Sequence, residues 1–401
     1  MGQLLPYEQP IDTGYQMCAA VLEIRLSLKS ALPKNSSRGS FVSRRRWTHA
    51  ASLIICTSSR LSLSTMSPSP PKNDYSSFES AFFRPHFPPA HPGVAHILLD
   101  SPSTLNAVTP STLARLPALF SLLASDPSVK VIVLSGSGPA FSSGLDLSSA
   151  TAPDSLLHYA QSAVPPSSTS QSPHIDVGAK GKELKEDQPD PASIAQTINN
   201  HVRDLQSCLT AIATCPKPVI AAIHGPCLGA GLDLACCADI RLAAPSATFS
   251  VREVHLGLAA DLGVLSRLPK IVGSANWVKE VCLTGRMISA EEAGLVGLVK
   301  VVDKASPPYT GSSKSQKEEE ASQVLNAAFA LAHNLTTLPQ IAVLGTKEIL
   351  DYTVDHSVDE SLRYTRIWNS AMLQTREIPE TIAKAVADKQ KRARSKKGAK
   401  L

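Results

Sequence analysis

Apolar positions along this chain repeat with two different periods. Val94–Leu99 (VAHILL) is a short β-like run, and Leu113, Leu116, Leu119, Phe120 and Leu123 follow at the spacing of one buried helical face. Val129–Leu134 (VKVIVL) is apolar almost throughout, the pattern of a strand covered on both faces. Further on, Ile194, Ile198, Val202, Leu205, Leu209 and Ile212 step by 4, 4, 3, 4 and 3. That spacing predicts an amphipathic helix, N-capped by Ser193 and ended before Pro216. A second β-forming run, Val219–Ile223, comes next. Strands alternating with helices predict an α/β fold. From Ala290 the pattern turns mainly helical, with Leu325–Leu331, Ile341–Leu350 and Ser357–Leu373 each periodic. Trp368 and Met372 mark the last of these as a packed or interface helix, which Gln374–Lys389 could extend.

Two stretches lack either period. Residues 1–90 are rich in Ser, Pro and Arg, as in Arg44-Arg45-Arg46 and Ser67-Pro68-Ser69-Pro70-Pro71. They read as a disordered tail, as a mitochondrial transit segment, or as an over-extended start preceding Met66. Residues 148–192 are a Ser/Pro/charged insertion, either a neutral surface excursion or a mobile one beside the site. The expected organisation is therefore a tail to 90, a core over 91–303 carrying that insertion, a helical oligomerisation region over 304–388, and a basic tail over 389–401.

Charge changes the picture only once it is divided. The net charge is +5, but residues 1–65 supply +5 and residues 389–401 supply +7, leaving −7 in the body. An acidic body argues against nucleic acid as the main partner. The eight cysteines show no C-x-x-C spacing, so small buried thiols in a reduced protein are expected, without disulfides and without a metal site. No apolar run approaches the roughly 18–20 residues that span a bilayer.

The candidate chemistry lies in two glycine turns, each following a buried strand: Ser143-Gly144-Leu145 and Gly229-Ala230-Gly231. If the fold brings them together, the N–H groups of Leu145 and Ala230 form a two-donor oxyanion hole, supported by the N-terminus of the following helix. Each donor of that kind is worth about 3–4 kcal/mol of barrier. Three carboxylates follow: Asp233, then Glu253 20 residues later, then Asp261 8 beyond that. Glu253 and Asp261 stand in apolar surroundings, which raise carboxyl pKa values toward those useful for proton transfer. His224 reads as a backbone-satisfying residue, Asp239 and Arg241 as a structural ion pair, and Asp146 as a loop-ordering group.

FSSGLDL (141–147), KPVIAAIHGPCLGAGLDLACCADIR (217–241) and GLVGLV (294–299) together resemble the enoyl-CoA hydratase/isomerase, or crotonase, superfamily. The resemblance covers about 94–303 plus the C-terminal helices. Asp233, VREV (251–254), GLAAD (257–261) and the late HSVDESLRY…WNSAMLQT (356–375) narrow it to the Δ3,5-Δ2,4-dienoyl-CoA isomerases. It implies a ClpP/crotonase-like spiral of ββα units with a C-terminal helical region, assembled as trimers or hexamers. It also implies a fatty acyl-CoA substrate of β-oxidation, lined by Ser143, Gly144, Leu145, Asp146, Leu147 and Ala230, and no cofactor beyond the coenzyme A of the substrate.

In the same resemblance Leu145 and Ala230 fall on the thioester-oxygen donors. Glu253 and Asp261 fall on the two proton-transfer acids, and Asp233 on a third acid that orients Glu253 or raises its pKa. Many relatives have glycine where this chain has Ala230. Enoyl-CoA hydratase chemistry is the alternative activity, and a silent acyl-CoA- or RNA-binding relative is the alternative of another class. Ala399-Lys400-Leu401 is similar to a peroxisomal import signal, with the mitochondrion as the other location.

Overall fold

The computed structural model describes residues 74–148, 190–302 and 316–398, with the side chains of 391–398 outside that description. A six-stranded sheet runs through the body. Its strands are β1 (Phe83–His86), β2 (Val94–Leu99), β3 (Val131–Gly136), β4 (Val219–Ile223), β6 (Ile240–Ala243) and β9 (Lys300–Val301), in the order β1-β2-β3-β4-β6-β9. Only the β1–β2 pair is antiparallel. A small second sheet places β5 (Pro226–Leu228) beside β7 (Thr248–Ser250) and β8 (Ile288–Ser289). It departs from the main sheet just beyond β4, and that departure is what positions the site.

The main sheet serves two cores. Ala95, Ile97 and Leu99, Ile132 and Leu134, and Val219, Ala221 and Ile223 face one side. There they meet helix α1 (Leu116–Ser125) and the long helix α2 (Pro191–Ala213). Val94, Val131, Val133, Ile220, Ala222 and Leu242 face the other, under Val324, Ala328 and Ala332 of a C-terminal helix over Gln316–Thr336. The period of two along each strand thus feeds both cores, which is why β3 and β4 read as unbroken apolar runs.

Several expectations shift. Order begins ahead of 90: Phe83–His86 pairs with β2 in a four-residue edge strand, too short and too interrupted by Pro85 to show alternation. Helix α2 starts at Pro191 with Asp190 as its N-cap, and Ser193 donates its N–H to the Asp190 carboxylate at 3.1 Å. Helices also occur before 290, at α4 (Val264–Ile271) and α5 (Ala275–Thr284), after the seven-residue α3 (Ala230–Cys236). The helices that follow these are α6 (Ala290–Leu295), α7 (Gln316–Thr336), α8 (Gln340–Thr353), α9 (Val358–Met372) and α10 (Glu377–Gly398). The chain breaks after α9, and the basic tail is helical to Gly398. Among the described residues no single helix is long and apolar enough to cross a membrane. The insertion over 149–189 and the terminal Ala399, Lys400 and Leu401 lie outside the described residues.

Asp239 and Arg241 are structural, but not as a pair. Asp239 accepts from Lys347 Nζ at 2.6 Å and from the Val219 N–H at 2.7 Å, tying α8 to the sheet. Arg241 instead donates to the carbonyls of Leu298 and Ala238. Lys217, also buried, spends its amine on the carbonyls of Leu123 and Asp126, and burial pulls its pKa down to about 8.

Candidate active site

The two glycine turns abut. Ser142 donates its N–H to the Pro226 carbonyl at 3.0 Å and accepts from the Leu228 N–H at 3.0 Å. On the other side, the Val108 N–H reaches the Gly144 carbonyl and the Asp146 N–H reaches the Val108 carbonyl, both at 2.8 Å. These two bonds bracket Leu145, so in parallel pairing its own N–H points away from Val108. Neither the Leu145 nor the Ala230 N–H has an acceptor among the described residues.

Glycine is required where the turns touch. Gly144 has φ +97°, and a Cβ there would stand 2.7 Å from the Leu228 carbonyl oxygen and 3.5 Å from the Ala230 nitrogen. A Cβ on Gly231 would meet the Cβ and carbonyl oxygen of Ser142 at 2.8 Å. Ala230 needs no such freedom: it is the first residue of α3 and has no positive φ. Its departure from glycine therefore leaves the N–H in place. The residue before it, Gly229, has φ +49° and ψ −123° and packs its Cα toward Glu253, whose Oε1 would lie 3.0 Å from an added Cβ.

The three carboxylates gather around this turn. Asp233 lies on α3, 1% exposed, and its Oδ1 accepts from the Val264 N–H at 2.5 Å. It therefore caps α4, not its own helix. Glu253 opens a 3₁₀ turn over Glu253–Leu256, and Asp261 lies on the loop leading into α4. Gln206 of α2 grips that loop, its amide donating to the Asp261 carbonyl at 2.6 Å. Asp233 Oδ2 and Glu253 Oε2 are both buried with no hydrogen-bond partner among the described residues. Buried carboxylate oxygens without partners are costly, and a pair of them marks a place for a substrate, a proton or water.

Burial raises all three acids. Asp233 is pushed up to about 8, first by desolvation and then by the charge of Glu253. Glu253 is raised by desolvation and then by Asp261. Asp261 is raised by desolvation and pulled back by a backbone hydrogen bond and, less, by His201. Asp233, the most deeply buried of the three, favours its protonated form, with the neighbouring Glu253 carboxylate adding to the effect of burial. The site thus holds one neutral carboxyl as scaffold and two half-buried acids able to exchange protons.

Other predicted residues take quieter places. Ser143 donates its hydroxyl to the Thr104 carbonyl and its N–H to Leu105. Asp146 accepts from the N–H and hydroxyl of Ser148, ordering the approach to the insertion, and Leu147 is exposed. His224 bonds the Gly138 carbonyl through Nε2 at 2.9 Å. Two features were missed by sequence reasoning. One is a cavity of about 450 Å³ lined by Val251, Val254, Leu258, Ala260, Leu265 and Cys282, with Cys282 close enough to feel the Glu253 charge. Its residues come from three segments, and no single run announces it. The other is His201, a polar residue among apolar positions of α2.

Comparison with known proteins decides the family. The sequence matches the description "Enoyl-CoA hydratase/isomerase" over residues 90–166 and 176–383. The chain belongs to that family. It is 36% identical over 293 residues to the mouse protein named Delta(3,5)-Delta(2,4)-dienoyl-CoA isomerase, mitochondrial, covering 73% of this chain and 76% of that one. It is also 36% identical over 290 residues to the Arabidopsis thaliana protein of that activity named peroxisomal, covering 72% and 88%. Among solved structures, a putative enoyl-CoA hydratase from Thermobifida fusca in complex with acetoacetyl-CoA superposes with a TM-score of 0.55 at 25% identity. That match covers 75% of this chain and 98% of the other. A Streptomyces coelicolor homologue gives a TM-score of 0.58 at 24% identity, covering 82% and 97%. The fold is the crotonase spiral with a C-terminal helical region, and the chain is an isomerase of that superfamily.

Proposed function

We propose that this isomerase converts 3,5-dienoyl-CoA to 2,4-dienoyl-CoA. The single observation that carries the reading is the gathering of Glu253 and Asp261, two acids raised by burial, Glu253 also by the Asp261 charge, beside the abutting donor turns. The reaction moves a proton from C2 to C6, too far for one short carboxylate. Glu253 takes the C2 proton, the dienolate spreads its charge toward the thioester oxygen, and Asp261 delivers a proton to C6. The N–H groups of Leu145 and Ala230 receive that oxygen, each contributing about 3–4 kcal/mol to the barrier reduction. Asp233 stays protonated and holds α4 and the Asp261 loop in place.

The isomerisation shifts electron pairs within the substrate with no net change of oxidation state, so the reading calls for no metal and no redox cofactor. Coenzyme A enters as part of the substrate, and the apolar cavity beside Glu253 suits its acyl chain. Assembly as a trimer or hexamer is part of the proposal. It is supported by the exposed apolar residues of α8 and α9, among them Leu350, Val358 and Leu362 at 63%, 74% and 54%. Peroxisomal import through Ala399, Lys400 and Leu401 is the proposed address, with the mitochondrion as the alternative, since relatives carry both names.

The test is the ultraviolet absorbance of the conjugated product when the purified protein meets 3,5-octadienoyl-CoA. A rise that Asp261→Asn lacks supports the reading. No rise, together with hydration of 2-enoyl-CoA, would assign the protein to the hydratases and leave Asp261 a structural residue.

A further inference from the structure

We propose that Ser250 and His255 are positioning residues for Glu253, clamping its turn from both sides to one carbonyl, that of Gly285 at the end of α5. The inference rests on the isomerase reading, in which Glu253 takes the C2 proton.

A base on a single 3₁₀ turn needs holding, because so short an element carries few hydrogen bonds of its own. Ser250, the last residue of β7, lies three positions before Glu253, and His255 lies two positions after it. Both side chains reach the same atom. The wholly buried Ser250 hydroxyl donates to the Gly285 carbonyl at 2.7 Å, and His255 Nε2 donates to it at 3.2 Å. A carbonyl oxygen has two lone pairs, so it can accept from both at once. Gly285 is fitted to this place. Its N–H closes α5 on the Val281 carbonyl at 3.0 Å, and its φ of +59° lies in the left-handed region. A Cβ there would stand 2.6 Å from the His255 ring and 2.8 Å from Val254 Cγ1. The helix end and the Glu253 turn therefore meet with no room for a side chain between them.

The clamp also touches the other parts of the site. The Ser250 carbonyl accepts from the Gly229 N–H at 2.9 Å, so the residue whose hydroxyl holds the acid turn holds the donor turn by its main chain. On the opposite side, Val251 and Val254 of the Glu253 segment and Cys282 and Leu283 of α5 line the apolar cavity. One carbonyl thus registers the base, the oxygen donors and the acyl chain against one another. A base shifted by a fraction of an ångström loses rate more than binding, because the contacts that hold the substrate remain.

His255 is exposed, so changing it tests the bond without opening a hole in the core. His255→Leu removes the donor at similar size, and His255→Gln supplies one again. With 3,5-octadienoyl-CoA, His255→Leu should lower kcat on the order of tenfold and leave KM within about twofold, while His255→Gln should stay within about twofold in both. Ser250→Ala should lower kcat at least as far as His255→Leu. Hydrogen exchange at C2 separates positioning from packing, since it reports the step given to Glu253. In an Asp261→Asn background, His255→Leu should slow that exchange on the order of tenfold. A wild-type kcat in His255→Leu would overturn the inference. So would a loss that His255→Gln shares, or one that leaves C2 exchange untouched, since either places the role away from the bond to Gly285. A wild type that does not isomerise the substrate overturns the parent reading too, whereas an active wild type with an unaffected His255→Leu overturns the clamp alone.

Discussion

The site has a backbone half and a side-chain half, and they are built by opposite means. The donor half, Ser142–Leu145 against Leu228–Gly231, is fixed by main-chain bonds and by the absence of side chains at Gly144 and Gly231. The acid half, Glu253 to Asp261, is held by side chains reaching in from α2 and α3 and lies on a 3₁₀ turn and a loop. The first half has no room for a Cβ at Gly144 or Gly231, and the second carries its chemistry on side chains. On the proposed mechanism, a rigid cradle for the oxygen and a tunable pair of acids would suit a reaction whose charge stays in one place while its protons travel.

That contrast can be broken from either side. The largest effect is expected in the acid half. Glu253→Gln and Asp261→Asn should each lower kcat on the order of 10²–10⁴-fold while leaving the urea midpoint near wild type. Hydrogen exchange at C2, followed by NMR in heavy water, should survive in Asp261→Asn and vanish in Glu253→Gln. Survival in Glu253→Gln alone would exchange the two roles.

Next comes the donor half. Gly144→Ala places its Cβ against the Leu228 carbonyl, and Gly231→Ala places its own against Ser142. Each should cost on the order of 1–3 kcal/mol of stability and also reduce kcat, on the order of 10²-fold. Because one contact surface is damaged twice, the double variant should lose less than the sum. Urea titrations of the four proteins give the answer, and strict additivity would separate the turns.

A third effect links the halves through Asp233. Its pKa is raised to about 8 in the fold, above the ordinary aspartate value, so the folded state binds the extra proton across that interval. Stability should therefore be greatest below the unfolded-state pKa and fall as pH rises through about 8. Asp233→Asn keeps the acceptor for Val264 and should remove this slope, by on the order of a few kcal/mol across the window. Melting temperatures over a pH series would show it, and parallel curves for the two proteins would contradict it. The smallest effect belongs to Ala230→Gly. The donor is main-chain, so kcat should remain within about twofold and stability should drop by no more than about 1 kcal/mol.

Much of the donor half was legible because glycine after a buried strand has few other uses. The strands and C-terminal helices were legible for a similar local reason: their periods repeat within a few residues. Contacts between distant segments were not. Ser193 looked like the cap of α2 because it precedes the apolar stripe, yet Asp190 three residues earlier fills that place. Asp239 seemed paired with Arg241 two residues on, but Arg241 gives its donors to the Leu298 and Ala238 carbonyls, and Lys347 meets Asp239 from a helix more than 100 residues away. Asp233 read as a third acid acting on Glu253, and only the fold brings the Val264 N–H to it. His201 was passed over because Val202 satisfies the stripe nearly as well.

The two-sided sheet has a consequence for how this chain can vary. Each of β2, β3, β4 and β6 deals its residues alternately to two different cores, so gaining or losing one residue inside it exchanges the whole hand. Strand interiors are therefore closed to insertions and deletions of odd length, whatever residue is added. Joints between strands and helices carry no such parity. New length in the gene can be accommodated only there, and the stretch over 149–189, between the donor turn and α2, falls at one of those joints.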